Sequence, residues 1–220
     1  ARLTPYVASV HDDVLAGARH LGLPIRRSIA ELDRTSERLN ARREWGIDPD
    51  APVVLVFGGS QGARRLNQVV AGSLDVLLAS GVCVLHAVGA KNELPPARPG
   101  YVPVPYIDRM ESAYAAADIV VCRAGAMTCA EVSAVGLPGI FVPLPIGNGE
   151  QSGNAGAIVA SGGGLQKADA DLSAEWLTDT VVDLVHDEQR LSGMSQAAAA
   201  HGERDADIAM AEWVMRIAGA

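Results

Sequence analysis

The 220-residue sequence predicts an α/β fold, a doubly wound parallel sheet covered by helices on both faces. Three observations carry that expectation. The apolar runs VVLVF at Val53–Phe57 and IVVC at Ile119–Cys122 are rich in β-branched residues and continuous, as strands buried on both faces are. Each run enters a turn of small residues, GGSQGA after the first and RAGAMT after the second. Each turn then leads into a helical pattern, and strands that alternate with helices make a parallel sheet.

The elements follow in order. Ile29–Trp45 reads as one charged amphipathic helix whose arginines are interleaved with Glu31, Asp33, Glu37 and Glu44. Such mixed charge is expected to form a solvated face. After the strand Val53–Phe57, Leu66, Val69, Val70, Leu74, Leu77 and Leu78 make one helical apolar stripe. Strands are expected at Val82–His86, Tyr101–Val104, Ile119–Cys122 and Gly139–Val142. Helices are expected at Met110–Ala117, Cys129–Val135 and Gln151–Ser161, the last broken by Gly162, Gly163 and Gly164. The final third is helical. Ser173 is a candidate N-cap for a helix with Trp176, Leu177, Val181, Leu184 and Val185 on one face. Two more helices are expected, at Glu188–Ala200 and about Asp205–Ala218.

Composition bounds the rest. The chain is 49% hydrophobic, 20% charged and 4% aromatic, which is globular and neither disordered nor collagen-like. The formal net charge is −8 and uneven, with 10 Lys/Arg against 8 Asp/Glu in the first 65 residues and an acidic remainder. No basic stripe points to a nucleic acid, and no polybasic segment points to anionic lipid. The uncharged stretch Gly136–Gly147 is far too short to span a bilayer and contains three prolines. Three cysteines, Cys83, Cys122 and Cys129, form no C-x-x-C pair, which argues against a disulfide framework or zinc site and for a reducing setting. The opening ARLTPYVASV has no Met, no secretory leader and no clear first element, and we expect it to be a cut into something larger.

Ligands of parallel sheets bind at the carboxyl ends of the strands. The first loop there is Gly58-Gly59-Ser60-Gln61-Gly62-Ala63. Its glycines allow close backbone approach, and the helix behind it offers free N–H groups and a positive dipole end, a combination that suits phosphate. The loop has neither the Gly-Lys-Ser/Thr of an NTPase nor G-x-G-x-x-G spacing, and no acid follows the next strand for a ribose. A plain strand–helix turn explains it as well. The second loop, Arg123–Thr128, leads to Glu131. Thr128 could cap the helix or bind an anion. Glu131 could be a dipole partner or could accept two hydrogen bonds from a ribose diol. In the third, LPIGNGEQSGN, Glu150, Gln151 and Asn154 could meet sugar hydroxyls, or the loop could be plain surface. Together, on one sheet edge, the three suggest a nucleotide-sugar site.

GGSQGARRLN (58–67), YIDRMESAYAAADIVVCRAGAMTCAEVSAVGLPGIFVPLP (106–145) and GNGEQSGNA (147–155) resemble the MurG family of bacterial peptidoglycan glycosyltransferases. The resemblance runs from about Gly22 to the last helix. The family transfers N-acetylglucosamine from UDP-GlcNAc to undecaprenyl-diphospho-muramoyl-pentapeptide, turning lipid I into lipid II with inversion. Arginine-rich usage and GNGEQ hint at an actinobacterial source. The family has two Rossmann-like halves, the GT-B arrangement, and this chain resembles the C-terminal half. The resemblance then implies three segments. Residues 1–28 are the end of a missing N-terminal acceptor half plus a linker, 29–203 the UDP-GlcNAc donor domain, and 204–220 a helix returning to the other half.

Carried over by motif, the UDP-GlcNAc-binding residues are Arg26, Ser60, Ile107, Ala126, Met127, Thr128, Glu131, Glu150 and Gln151, with Gly58, Gly59, Gln61 and Gly62 in the phosphate loop. Arg26 and Ser60 would lie near the diphosphate, Ile107 would read uracil through its backbone, Glu131 would hold the ribose, and Glu150 and Gln151 the sugar hydroxyls. Glu150 stands where the family commonly has an amide, and Ser152 and Gly153 where it has bulkier residues. The general base belongs to the missing half, so the fragment alone is expected to transfer little. No catalytic residue, metal ligand or cofactor is expected here. His86 is read as a packing or supporting residue, Asp48 and Asp50 precede their strand, and the Asp169/Asp171 and Asp205/Asp207 pairs read as helix caps. The implied partners are UDP-GlcNAc, the lipid I acceptor through the missing half, and the cytoplasmic face of the membrane, met peripherally. Two other readings stay open, the UDP-sugar subunit of a split transferase and a UDP-GlcNAc 2-epimerase-like protein.

Overall fold

The computed structural model describes residues 4–10, 15–145 and 149–219. Two short strands, β1 (Ala8–Ser9) and β2 (Arg19–His20), pair in parallel ahead of the main body. There follow α1 (Arg27–Ala30), α2 (Arg34–Glu44), β3 (Val53–Phe57), α3 (Arg64–Ala79), β4 (Cys83–Ala87), β5 (Tyr101–Val104), α4 (Met110–Ala116), β6 (Ile119–Cys122) and α5 (Ala126–Ala134). The chain ends with β7 (Gly139–Phe141), α6 (Glu150–Ala160), β8 (Gly164–Gln166), a 3₁₀ turn at Asp169–Asp171, α7 (Ala174–Val185), α8 (Glu188–Ala200) and α9 (Ala206–Ala218).

The main sheet is all parallel, in the order β5-β4-β3-β6-β7-β8. This is the doubly wound order 3-2-1-4-5-6, so the expected fold class holds. Strand β3 shows why its sequence is apolar throughout. Val53, Leu55 and Phe57 enter one core with Tyr114, Leu137 and Phe141, whereas Val54 and Val56 enter the other with Leu66, Val70 and Val181. Period-two alternation thus serves two cores at once. Helix α3 packs beside α7 on one face and α2 beside α4 on the other.

Most predicted elements fall within a few residues of their places, and three expectations are corrected. The single helix at 29–45 is two. Asp33 breaks it by capping α2, its carboxylate accepting from Thr35 N (2.9 Å) and Ser36 N (3.3 Å). The arginines of α2 form a solvated face only in part: Arg43 and the acidic residues are exposed, but Arg34, Arg38 and Arg42 turn inward. Arg42 is fully buried and Arg34 donates to Tyr114 O, Gly136 O and Ala117 O, where α4 and α5 end. Those carbonyls have no intrahelical partner, and the guanidinium fork satisfies three of them. The glycines at 162–164 do more than end α6, because Gly164 opens the sixth strand. A Cβ on Gly164 would lie 2.7 Å from Gly139 O and from the Phe141 ring. Glycine is needed for the approach of β8 to β7.

At the amino edge of the sheet, Asp118 gathers these cations. Its Oδ2 accepts from Arg42 Nη2 (2.8 Å) and Val53 N (2.7 Å), and its Oδ1 from Arg38 Nη1 (2.5 Å). Arg42 further donates to Ala116 O, Pro49 O and Ala51 O. Burial lowers the Arg34 pKa to about 10 and lowers that of Arg42 as well.

Candidate functional site

Strand order reverses between β3 and β6: the chain goes from β3 outward through β4 and β5, then returns to β6 and proceeds through β7 and β8. A crevice opens at such a switch point, outside the carboxyl ends of the two strands. The loops bounding it are Gly58–Ala63 and Arg123–Gly125, and they lead into α3 and α5. Neither helix has a side-chain cap. The N-cap positions are Ala63 and Gly125, which have no hydrogen-bonding side chain. Two helix N-termini, with no side-chain cap among the described residues, therefore lie at one switch point.

The predicted residues distribute around it. Gly59, Ser60 and Gln61 are exposed on the first loop, with Gly58 and Gly62 half-buried. Ala126, Met127 and Thr128 form the first turn of α5, and Thr128 does not cap it. Glu131 lies further along the same helix and is almost wholly buried. Its Oε2 accepts from the Tyr114 hydroxyl at 2.9 Å, and its Oε1 faces Arg26 Nη2 at 3.5 Å. Burial first, then the Glu131 charge, pushes the Tyr114 phenol well above its usual range, so it stays protonated and donates. Arg26, half-exposed at the start of α1, is thereby brought to the carboxylate across the chain. Ile107 stands apart, beyond β5 at the sheet edge. The whole residue is buried, between the exposed Tyr106 and Asp108.

Glu150 and Gln151 open α6, beyond β7. Gln151 Oε1 accepts from Leu144 N at 2.9 Å and closes its own loop. Ile146, Gly147 and Asn148 of that loop lie outside the described residues. Asn154, considered for sugar hydroxyls, instead donates to Ala124 O at 3.0 Å and ties α6 to the β6–α5 loop.

Two residues of this site went unnoticed in the sequence. Tyr114 sits in an alanine-rich helix where an aromatic reads as core, and nothing local signals its carboxylate partner. Arg123 follows β6 directly, and only its place after a buried strand could have marked it. Its Nη1 donates to Val142 O (3.1 Å) and Pro143 O (3.3 Å) and pairs with Asp169 at 2.5 Å. Its Nε is buried with no acceptor among the described residues. Arg123 thus joins the loops after β6, β7 and β8. Asp169 was expected to cap a helix, but the N-cap of α7 is Ser173, which accepts from Trp176 N. Asp205 makes no capping bond either. The Asp48 carboxylate accepts from Asp50 N in a local turn.

Sheet order and the switch point define a Rossmann-like domain. Residues 53–210 match the model of the glycosyltransferase family 28 C-terminal domain. The chain belongs to that family. A relative from Streptomyces avermitilis is named UDP-N-acetylglucosamine–N-acetylmuramyl-(pentapeptide) pyrophosphoryl-undecaprenol N-acetylglucosamine transferase. It is 56% identical over 204 residues, which is 90% of this chain and 56% of that protein. A relative of the same name from Thermobifida fusca is 50% identical over 224 residues, 99% of this chain and 59% of its own. Both sources are actinobacterial. The crystal structure of MurG from Acinetobacter baumannii superposes with a TM-score of 0.76 at 26% identity, covering 94% of this chain and 59% of that one. The chain therefore spans a little over half the length of the relatives it matches.

Proposed function

We propose that this chain is the donor-binding half of an N-acetylglucosaminyltransferase that uses UDP-GlcNAc and glycosylates undecaprenyl-diphospho-muramoyl-pentapeptide in peptidoglycan synthesis. The observation that carries the reading is the pair of uncapped helix starts, α3 and α5, across the switch point, with a buried carboxylate, Glu131, on the second. The diphosphate lies between the two N-termini. There the N–H groups and the Thr128 hydroxyl stabilise charge as UDP departs. Glu131, polarised by Tyr114 and Arg26, accepts from the ribose diol. Ile107 offers backbone groups to uracil, and Glu150 and Gln151 face the sugar. Arg123 and Asp169 hold the loops that carry these groups.

The base that deprotonates the acceptor hydroxyl comes from an N-terminal half, which also meets the lipid acceptor at the cytoplasmic face of the membrane. No helix among the described residues is long and apolar enough to cross a membrane. Residues 19–32 are the natural joint between halves. His20 Nε2 lies 3.4 Å from Glu203, and Arg204 donates to Ala30 O and Leu32 O, so the linker and the start of α9 are held together. Ile208, Val214 and Met215 of α9 are more than half exposed, as a helix returning to a second half requires.

Calorimetric titration with UDP tests the reading. Binding is expected to weaken by about 2 kcal/mol in Glu131→Ala, the scale of a lost charge-assisted hydrogen bond. Equal affinity in the two proteins would remove Glu131 from the site.

A further inference from the structure

A cavity of about 220 Å³ lies behind α3, and Asn67, His86 and Tyr101 contribute to its wall. The charged groups there are Asp75 and Arg98, which pair with each other at 2.5 Å, and Glu93. His86 is almost fully buried in the otherwise apolar strand CVLHA.

The hydrogen bonds of this group have one direction. Asn67 Nδ2 donates to Val88 O (2.8 Å), so Oδ1 faces His86 Nε2 (3.1 Å) and must accept from it. His86 therefore carries its proton on Nε2. Nδ1 is left to accept from the Tyr101 hydroxyl at 3.0 Å. Burial lowers the His86 pKa to about 4, which keeps the ring neutral and able to act as donor and acceptor at once.

The chain of bonds ends at Val88 O, and that carbonyl supports the phosphate loop. It also accepts from Asn92 Nδ2 (2.7 Å), whose amide reaches Gln61 O at 3.1 Å. Gly62, at φ +72°, lies so close that a Cβ there would sit 2.1 Å from Val88 O. The loop thus packs directly against this carbonyl and is tied to it through Asn92.

We propose that Asn67, His86 and Tyr101 are positioning residues that hold the Val88 carbonyl and, through it, the loop Gly58–Ala63 in the form that receives a diphosphate. The proposal rests on the donor-site reading above. Its test uses the 220-residue chain with Asn67→Ala and the milder Tyr101→Phe, read by amide hydrogen exchange and by UDP titration. The Gly62 amide, bonded to Gly59 O at 2.9 Å, reports on the loop directly. Its exchange is expected to quicken roughly tenfold in Asn67→Ala, with UDP affinity falling roughly tenfold, as for one buried hydrogen bond left unmade. Exchange in α7 should not change. Tyr101→Phe should give a smaller effect in the same direction, and it decides the matter if Asn67→Ala does not fold.

Asn67→Asp supplies a readout that general loosening would not. Its carboxylate keeps the acceptor toward His86 Nε2 but has no N–H to donate to Val88 O, so it cuts the relay at its last bond while leaving the His86 contact in place. Gly62 exchange should quicken and UDP affinity fall as in Asn67→Ala, with exchange in α7 again unmoved. Unchanged loop exchange in Tyr101→Phe and Asn67→Ala, or in Asn67→Asp, overturns the relay. Failure of the unsubstituted chain to bind UDP overturns the donor-site reading instead, and the exchange rates still decide whether the relay holds the loop.

Discussion

The two edges of the main sheet treat polar groups in opposite ways. At the amino edge, Arg34, Arg38 and Arg42 meet Asp118 and a set of helix-end and loop carbonyls, and the α2 helix there is capped by Asp33. At the carboxyl edge, α3, α4, α5 and α6 all begin without a side-chain cap. A cap is worth about 1 kcal/mol, and α2, α7 and α8 each have one. The difference teaches where stability and binding are placed. One edge satisfies its hydrogen bonds internally, whereas at the other four helices begin with no side-chain cap among the described residues.

The largest expected effect breaks the closed edge. Asp118→Ala leaves Arg42 buried without its anion and should cost about 4 kcal/mol in chemical denaturation. UDP affinity of the folded fraction should stay as it was. A large change in that affinity would mean the edges are not independent.

A second prediction concerns His86, behind the open edge. Its folded pKa of about 4 lies below the unfolded value near 6.5, so between these pH values the unfolded chain binds a proton the folded chain refuses. Its contribution is complete above about pH 6.5 and is lost as pH falls toward 4, by roughly 3 kcal/mol. Urea denaturation across this window should show a shallower slope with pH in His86→Gln than in the unsubstituted protein. Parallel slopes would mean His86 is not held neutral by burial.

The smallest effect sharpens the open edge. Asp169→Asn should weaken the hold on Arg123 and cost about 1 kcal/mol. UDP-GlcNAc should lose more affinity than UDP, because the β7–α6 loop that Arg123 supports carries Glu150 and Gln151. Equal losses for both ligands would confine Arg123 to a role in stability.

Much of this was legible in the sequence, for a physical reason. Buried parallel strands need continuous apolar runs and the helices beside them need stripes, so VVLVF, IVVC and the Leu66–Leu78 stripe declared themselves. Glycines that must approach backbone closely marked the first loop. What stayed hidden depends on distant partners. Arg42 looks like any surface arginine until Asp118 is brought to it across 76 residues. Tyr114 looks like core until Glu131 meets its hydroxyl. Asn154 looked free for sugar but is taken by Ala124 O. β8 was missed because Gly164 reads as a breaker, and its fit against Gly139 and Phe141 exists only in the sheet.

The central claim is that the carboxyl edge at the β3/β6 switch point is where the nucleotide binds. Backbone amide chemical shifts, followed by NMR during titration with UDP, test it most directly. The largest perturbations are expected in residues 58–66, 106–109 and 124–131, with the amides around Asp118 and Val53 unmoved. Perturbations centred on the cavity behind α3, or on the amino edge, would contradict the account.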